Sequence, residues 1–221
     1  MQPPSSESEL FQRARALSGS SLAELAGLAG VVAPPDLRRA KGFTGQLLER
    51  LLGATAGSRD LPDFPELGIE LKSLPCNEQG RPVESTFVCT LPLREIADVE
   101  WSGSRVCRKL SRVLWIPVQG ERARPVSERL IGTPFLWSPS PEESARLAFD
   151  WNTLAGRVGR GEIETITGHL GEVLQVRPKA ADSRARCRGF DEDGAPLSQM
   201  PRGFYLRARF TATLLNRAFG R

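Results

Sequence analysis

One short predicted strand constrains the fold more than any other segment. In DFPELGIELKSLP, residues 63–75, apolar residues alternate with others over positions 67–72. In an extended chain Leu67, Ile69 and Leu71 point to one face, while Glu70 and Lys72 point to the other. The sequence therefore predicts a strand with one apolar face and one face on which a carboxylate and an ammonium group lie side by side.

A second carboxylate lies close to this strand in the sequence. Asp63 comes seven residues before Glu70, between Pro62 and Pro65, where a bend would bring it back toward Glu70. Two carboxylates and a lysine suit a hard divalent cation such as Mg²⁺, and Lys72 would orient water or stabilise charge on a phosphate. The alternative is an edge strand with a solvated face, because D-x6-E-x-K arises by chance in roughly a few per cent of such chains.

Helical and alternating patterns in the rest of the chain predict an α/β or α+β protein. Capping boxes predict helices after Ser6, Ser21 and Ser140. A further helix is predicted over residues 42–53, with Glu49 turned away from its row of leucines. Together with strands predicted to begin near residues 85, 112 and 172, these helices make up the expected core.

The C-terminal part of the chain contains a second strand with a polar face. Over residues 204–210 the alternation predicts that Tyr205, Arg207 and Arg209 share one face, opposite a row of apolar residues. An aromatic hydroxyl beside two guanidinium groups suits contacts with bases and phosphates. The segment 182–199, which is rich in charge, Gly and Pro, is predicted to be a mobile loop.

Charge and lysine usage favour a polyanionic partner. Residues 1–100 hold 10 Lys and Arg against 14 Asp and Glu, whereas residues 101–221 hold 20 against 12. A basic second half that grips a polyanion and a solvated basic surface explain this distribution equally well. Lysine is rare among the 30 basic residues, so each lysine marks a position where a compact ammonium group matters. The four are Lys41, Lys72, Lys109 and Lys179.

Missing motifs exclude several other classes of protein. The four cysteines are widely spaced, so neither a zinc site nor a disulfide framework is predicted. The single histidine, His169, is interpreted as a loop residue because no G-x-S-x-G motif accompanies it. No P-loop is found, and neither an apolar run of ~20 residues nor a signal peptide is found. We therefore expect a cytoplasmic protein that does not contact membranes.

Seven segments of the chain match one known family in the same order. They are KGFTGQLLERLLGATAGS, DFPELGIELKSLP, GRPVESTFVC, KLSRVLWIPV, FLWSPSPEE, LQVRPKA and MPRGFYL. These segments resemble the MutH family of methyl-directed DNA mismatch repair endonucleases, from about residue 8 to near the C-terminus. The resemblance implies a restriction-endonuclease-like PD-(D/E)xK fold with a mixed sheet. It also implies one endonuclease module over residues 1–221, with approximate lobes 1–100 and 101–221 around a DNA cleft.

The same resemblance implies a specific activity. Enzymes of this family use Mg²⁺, with Mn²⁺ as a substitute, and nick the unmethylated strand of double-stranded DNA at hemimethylated GATC sites. They act as monomers and are activated by MutL after MutS detects a mismatch. A GATC-specific restriction endonuclease is the alternative, since such enzymes share the motif. A non-catalytic methylation reader is disfavoured, because carboxylates facing a phosphate would not help binding.

Individual residues acquire roles from the resemblance. Asp63, Glu70 and Lys72 correspond to the catalytic carboxylates and lysine, and Glu49 to a further acidic residue that binds metal or a metal-bound water. Lys109 corresponds to a lysine near the scissile phosphate. The expected DNA contacts are Lys41, Phe87, Arg177, Lys179 and Tyr205, to which the predicted strand alternation adds Arg207.

Overall fold

The computed structural model describes residues 1–37, 40–93, 95–179, 185–190 and 195–220. Contacts divide the chain into two units. The first comprises Met1–Glu84, Ser111–Ser138 and Leu214–Arg221, and the second comprises Ser85–Leu110 and Pro139–Thr213. The helices are α1 (Glu7–Ala16), α2 (Leu22–Leu28), α3 (Phe43–Leu52), α4 (Arg105–Leu110), α5 (Pro141–Gly159) and α6 (Ala208–Phe219). The strands are β1 (Glu70–Cys76), β2 (Thr86–Thr90), β3 (Val113–Gln119), β4 (Phe135–Trp137), β5 (Leu174–Pro178), β6 (Cys187–Phe190), β7 (Pro196–Gln199) and β8 (Arg202–Leu206).

A mixed three-stranded sheet in the order β1-β3-β4 forms the centre of the first unit. β1 and β3 are parallel, and β4 is antiparallel to β3. One face, with Leu71, Leu114 and Ile116, joins buried residues of α1, α2 and α3 in a single apolar core. The predicted mixed α/β arrangement is thus confirmed, and the apolar side of the motif strand lies where the alternation placed it.

The opposite face of the same sheet carries the charged residues of the motif. Lys72 lies beside Trp115 in the β1-β3 pairing, and paired residues of parallel strands point to the same face. Trp115 is fully buried and stacks on Phe135 with ring centroids 6.3 Å apart. Lys72 therefore lies beside tightly packed aromatic side chains. Such packing limits side-chain movement, as a site with exact geometry requires.

An antiparallel sheet in the order β2-β8-β5 and a hairpin of β6 and β7 form the second unit with α4 and α5. The buried face of this sheet carries Leu174, Val176, Phe204 and Leu206. The capping box predicted at Ser140 is present, and the buried face of α5 contacts the β5 side of the sheet. The capping box at Ser21 is also present.

At the first helix only half of the predicted capping box forms. The Ser6 side chain accepts a hydrogen bond from the Glu9 N–H, as in a capping box. The Glu9 carboxylate instead accepts from the Ser5 N–H and hydroxyl, both at 2.7 Å. Ser5 thus donates to Glu9 in place of the Ser6 N–H group, which is the donor in a capping box.

Two sequence predictions in the second unit were wrong. The strand predicted over residues 204–210 ends at Leu206, and α6 begins at Ala208, so Arg209 is helical. The chain turns there because Phe210 N and Thr211 N both donate to the carbonyl oxygen of Arg207. The predicted mobile loop 182–199 contains the hairpin strands β6 and β7, while residues 182–184 and 191–194 lie outside the described part.

The division into units changes the interpretation of the charge. Each unit holds 15 Lys and Arg against 13 Asp and Glu, a net formal charge of +2. The basic excess of the second half of the sequence is therefore shared between the units, because Ser111–Ser138 and the C-terminal residues from Leu214 belong to the first. Among the described residues, no helix has both the length and the apolar character needed to cross a bilayer.

An ion pair in the first unit predicts how stability depends on pH. Nε and Nη2 of Arg112 donate to the two carboxylate oxygens of Glu7 at 2.8 and 2.7 Å. This hydrogen bonding lowers the pKa of Glu7 from its ordinary 4.5. A depressed folded-state pKa means that the stabilisation is present above the unfolded pKa and is lost as the pH falls through the folded pKa.

We expect Glu7→Gln to lower the free energy of unfolding at pH 7 by less than about 1 kcal/mol, because the pair is partly exposed. The difference from wild type should shrink as the pH is lowered through the acidic range. Urea unfolding of both proteins at a series of pH values measures it. A difference that stays constant at every pH would contradict this role of the ion pair.

Candidate active site

A tight turn brings the backbone before β1 back on itself. Phe64 N donates to Ile69 O at 2.9 Å, and Ile69 N donates to Phe64 O at 3.2 Å. Between them runs a short 3-10 turn, Pro65–Leu67, which ends at Gly68 with φ of 65°. A left-handed φ of this type favours glycine. The predicted bend is present, and it places Asp63 next to the start of β1.

The carboxylate of Asp63 is held against the strand that carries the other two motif residues. Its Oδ2 accepts a hydrogen bond from the Leu71 N–H at 2.8 Å. The Asp63 carbonyl oxygen accepts from the Thr55 N–H at 3.0 Å, just after α3. Asp63 is therefore fixed on both sides, by β1 and by the segment that follows α3.

Glu70 and Lys72 form a buried ion pair. Lys72 Nζ donates to Glu70 Oε1 at 2.7 Å, and the Lys72 side chain is 13% exposed. Glu70 is only 2% exposed, although β1 lies at the end of its sheet order. The solvated-face interpretation of the motif is therefore wrong. Removing both charges from water costs free energy that their mutual attraction need not repay, so this pair is a candidate for a functional role and weak evidence for a stabilising one.

Glu49 lies near the end of α3 and is half-buried. Its carbonyl oxygen accepts from Gly53 N and Ala54 N, at the point where the chain leaves the helix for Asp63. A Cβ placed on Gly45 would lie 3.9 Å from Glu49 Oε1, so the carboxylate extends along α3 toward Gly45. Ala54, which bonds to Glu49, is followed by Thr55, which bonds to Asp63, so two backbone hydrogen bonds connect the end of α3 to Asp63.

The carboxylates fit a hydrated divalent cation. In the described ranges, no three His, Cys, Asp or Glu side chains form a group that could hold a metal ion together. Mg²⁺ is usually bound by one or two carboxylates and keeps several waters. Asp63 and Glu70, on adjacent backbone segments, supply such a set of oxygen donors. A ligand set that also included Glu49 directly would require it to approach the other two carboxylates.

Lys41 belongs to the same unit as the carboxylates. It is exposed just before α3 and lies on a groove of about 1290 Å³. Ser73 of β1 and the loop that follows β3 also line this groove. The structure thus places Lys41 and the motif strand on neighbouring parts of one unit.

Four of the predicted DNA contacts converge on one face of the sheet in the second unit. Phe87 pairs with Tyr205 across β2 and β8, with ring centroids 5.3 Å apart at 65°. Lys179 Nζ lies 3.0 Å from the centroid of the Phe87 ring, a cation–π arrangement. Arg177 is exposed opposite Gly203 of β8. We call these four side chains, Phe87, Arg177, Lys179 and Tyr205, the aromatic and basic face.

Glycine at position 203 makes room for this face. A Cβ on Gly203 would lie 2.8 Å from Cε2 of Phe87 and 3.0 Å from the Cys89 carbonyl oxygen. The Phe87 ring therefore covers the backbone of β8 at Gly203, the residue that pairs with Arg177.

Lys109 also lies in the second unit, where it is half-buried on α4. It therefore belongs to a different unit from Glu70.

Arg207 does not continue the face that carries Tyr205. Its Nε donates to Gly171 O at 2.9 Å, and its Nη2 donates to Gly168 O and Leu170 O at 2.8 and 3.0 Å. Burial lowers the pKa of Arg207, and the nearby charge of Arg209 lowers it further. Its donors are directed at a protein loop, and the expected DNA contact of Arg207 stays a prediction.

Sequence reasoning missed Asp150, a buried acid on α5. It is 2% exposed, and its Oδ2 accepts from the N–H groups of Glu172, Val173 and Leu174 at 2.8, 2.6 and 2.8 Å. Asp150 falls within the apolar stripe of its helix, next to Trp151. A charged residue in such a stripe is the sequence signal that could have identified it.

The chain is similar to known proteins over nearly its whole length. The family model "DNA mismatch repair enzyme MutH" matches residues 52–150, which include the motif strand. The chain is 53% identical over 216 residues to the DNA mismatch repair protein MutH of Vibrio cholerae, with 98% of each chain covered. It is 50% identical over 218 residues to the protein of that name from Shewanella baltica, covering 99% of this chain and 98% of the relative.

A third relative extends the match to another genus. The DNA mismatch repair protein MutH of Pectobacterium atrosepticum is 53% identical over 216 residues, covering 98% of this chain and 94% of its own length. Identity of this extent over almost the whole chain leaves the family in no doubt. The resemblance first seen in seven short segments is confirmed, and the chain belongs to the MutH family of DNA mismatch repair endonucleases.

Proposed function

We propose that this endonuclease requires Mg²⁺, accepts Mn²⁺ in its place, and nicks the unmethylated strand of double-stranded DNA at hemimethylated GATC sites. The observation that carries the proposal is the buried Glu70–Lys72 pair with Asp63 fixed beside it. By family resemblance we also infer a restriction-endonuclease-like PD-(D/E)xK fold, in which residues of both units contact the duplex.

The chemistry follows from these side chains. Asp63 and Glu70 would hold the cation, which supplies Lewis acidity and lowers the pKa of a bound water. A water oxygen forms a new bond to phosphorus and the water loses a proton to solvent, while the bond from phosphorus to one ester oxygen breaks and that oxygen takes up a proton to become a hydroxyl group. Lys72 orients the attacking water or stabilises the negative charge that develops on the phosphate oxygens. Glu49 would act through a metal-bound water.

Lys109 and Lys41 are proposed to contact the backbone of the substrate. A lysine ammonium group is a compact point charge that suits a phosphate oxygen. Lys109 is assigned to the scissile phosphate and Lys41 to a neighbouring phosphate. These contacts fix the register of the duplex and contain no sequence information themselves.

Base recognition is assigned to the aromatic and basic face. Arg177 is exposed there and carries the planar donor fork that reads guanine in the major groove. Tyr205 is half-buried against Phe87, so its ring is already held in place before DNA binds. We assign Tyr205 to the contact with the adenine edge, where an N6-methyl group would project.

The proposed partners are DNA and the other proteins of the repair system. The relatives are named as DNA mismatch repair proteins, which favours a repair nickase over a restriction endonuclease. We therefore propose activation by a MutL-type protein with MutS upstream. The chain would act as a monomer in the cytoplasm, where bacterial chromosomal DNA is found.

Cleavage of three duplexes tests the proposed function. Unmethylated, hemimethylated and fully methylated GATC duplexes are labelled on each strand in turn and incubated with Mg²⁺, with Mn²⁺ or with EDTA. We expect metal-dependent nicks in unmethylated strands alone. Equal cutting of methylated and unmethylated strands would disprove the strand preference, and cutting in EDTA would disprove the metal requirement.

Tyr205→Ser tests the assignment of methyl sensing. The change removes bulk at the adenine edge but no positive charge, so we expect it to reduce the preference for the unmethylated strand more than it weakens DNA binding. Tyr205→Phe, which keeps the packing against Phe87, is the control and should retain the preference. Nicking rates on the three duplexes and thermal midpoints measure both effects. A lowered midpoint with an unchanged preference would make Tyr205 a packing residue.

A further inference from the structure

Asp150 and Arg207, two side chains of opposite charge, hold the loop that leads into β5. Arg209 adds hydrogen bonds from its Nε and Nη2 to the Glu172 carbonyl oxygen at 3.1 and 2.8 Å. Asp150 accepts the N–H groups of residues 172–174, and one of these, Glu172 N, also lies 2.9 Å from Oδ1. Arg207 donates to the carbonyl oxygens of residues 168, 170 and 171. Hydrogen bonds to charged groups contribute more to stability than bonds between neutral groups. In this loop, such bonds hold both the backbone N–H groups and the carbonyl oxygens.

The backbone of the loop is shaped for these contacts. Gly171 has φ of 86°, and a Cβ there would collide with the Leu174 carbonyl oxygen. Arg207 N donates to Val173 O at 2.9 Å, which extends the β5-β8 ladder by one bond beyond Leu206. Arg207 therefore grips the loop with its backbone and its side chain at once.

This loop determines where β5 enters its sheet. Immediately after the residues that Asp150 contacts, Gln175 pairs with the half-buried Tyr205. Two positions farther along β5, Arg177 pairs with Gly203. A slip of one residue would turn Arg177 to the buried side of the sheet. The position of the aromatic and basic face thus depends on how firmly this end of the ladder is held.

We propose that Asp150 and Arg207 are positioning residues, which clamp the loop 168–173 and the first residue of β5 and so hold the aromatic and basic face in the geometry that discriminates between methylated and unmethylated strands. This inference rests on the proposed function. It gives Arg207 a role different from the DNA contact expected from the sequence. The clamp lies wholly within the second unit.

The test compares Asp150→Asn, Arg207→Ala and the double variant with wild type. Arg146→Ala is the matched control, because Arg146 pairs with the exposed side chain of Glu172 on the same loop. We expect each clamp variant to lower the ratio of nicking on unmethylated to methylated strands by about fivefold or more, and the double variant to lose little beyond the worse single variant, because both act on one loop. Arg146→Ala should keep the wild-type ratio.

Two further readouts separate the clamp from other roles. Amide exchange at Val173 and Leu174 should be faster in both clamp variants, and the salt dependence of DNA binding should be unchanged. If Arg207→Ala reduces the slope of log K against log salt by about 0.9 while Asp150→Asn does not, Arg207 contacts a phosphate directly and the proposal is wrong. Faster exchange with an unchanged strand ratio would likewise overturn it.

The outcome remains decisive if one variant or the proposed function fails. If Asp150→Asn does not fold, Arg207→Ala carries the test by the same three measurements. If wild type cuts both kinds of strand equally, the proposed strand preference is wrong. The clamp is then judged by the cleavage rate at saturating DNA, where unchanged rates with faster amide exchange would overturn it.

Discussion

Glu70→Ala and Asp63→Ala should each abolish nicking while DNA affinity stays near that of wild type or rises. If Asp63 and Glu70 hold the cation as proposed, each substitution removes one of its oxygen ligands; the cation contributes several kcal/mol, so we expect losses of at least about a thousandfold. Affinity is spared because neither carboxylate attracts a phosphate. Single-turnover nicking and equilibrium binding to the same GATC duplex measure the two effects separately.

Two further variants distinguish loss of catalysis from loss of folding. Glu70→Gln keeps the volume of the buried side chain beside Lys72 and should be as inactive as Glu70→Ala. Glu66→Ala removes an exposed carboxylate from the turn between the two site residues and should nick at the wild-type rate. Nicking by Glu70→Ala at a normal rate would show that the catalytic centre lies elsewhere.

Lys72→Arg should lower activity well beyond tenfold, a barrier increase of at least ~1.4 kcal/mol, although the charge is kept. Lys72 Nζ donates to Glu70 Oε1 from a side chain that is almost buried beside Trp115. A guanidinium group is larger and planar, so its charge would lie farther out and the packed aromatic side chains could not accommodate it without moving. The nicking rate at saturating Mg²⁺ is the measurement.

The control is an arginine of the same unit that is exposed in the structure. Arg15→Lys on α1 should leave the nicking rate and the thermal midpoint unchanged. Arg13 is unsuitable, because its guanidinium donates to the carbonyl oxygens of Gln2 and Leu52. Equal tolerance of both substitutions, Lys72→Arg and Arg15→Lys, would mean that the scarcity of lysine carries no information.

Local patterns predicted much of the first unit. The motif strand, its apolar face and the bend that returns Asp63 to it were all visible in the sequence, because each depends on alternation or on turn residues a few positions apart. The end of α3 at Gly53 was also predicted, and the structure adds a second reason for it. Gly53 has φ of 80°, and a Cβ there would lie 2.6 Å from the Gln2 carbonyl oxygen.

Errors arose where one pattern fits two structures. The residues Phe204, Leu206, Ala208 and Phe210 alternate as in a strand, but Phe210, Leu214 and Leu215 also fit the buried side of a helix. The capping hydrogen bonds to the carbonyl oxygen of Arg207 decide between them, and no pattern of apolar residues shows these bonds. The strands β6 and β7 were missed because each has only four residues within a segment that is rich in charge, Gly and Pro.

Contacts between residues that are distant in the sequence could not be predicted from local patterns. The burial of Glu70 depends on packing in the whole first unit, and alternation alone left a solvated face as an alternative. The hydrogen bonds of Asp150 reach residues 22 to 24 positions away, so only the fold reveals its partners. The cation–π contact between Lys179 and Phe87 joins two strands that are distant in the sequence.

The most direct test of the central claim is a count of Mn²⁺ ions bound to the protein on a GATC duplex, measured by electron paramagnetic resonance. Wild type and Glu66→Ala should bind the ion equally. Glu70→Ala and Asp63→Ala should lose it while still bound to DNA. Full Mn²⁺ binding by either of these two variants would contradict the assignment of Asp63 and Glu70 as the carboxylates that hold the catalytic cation.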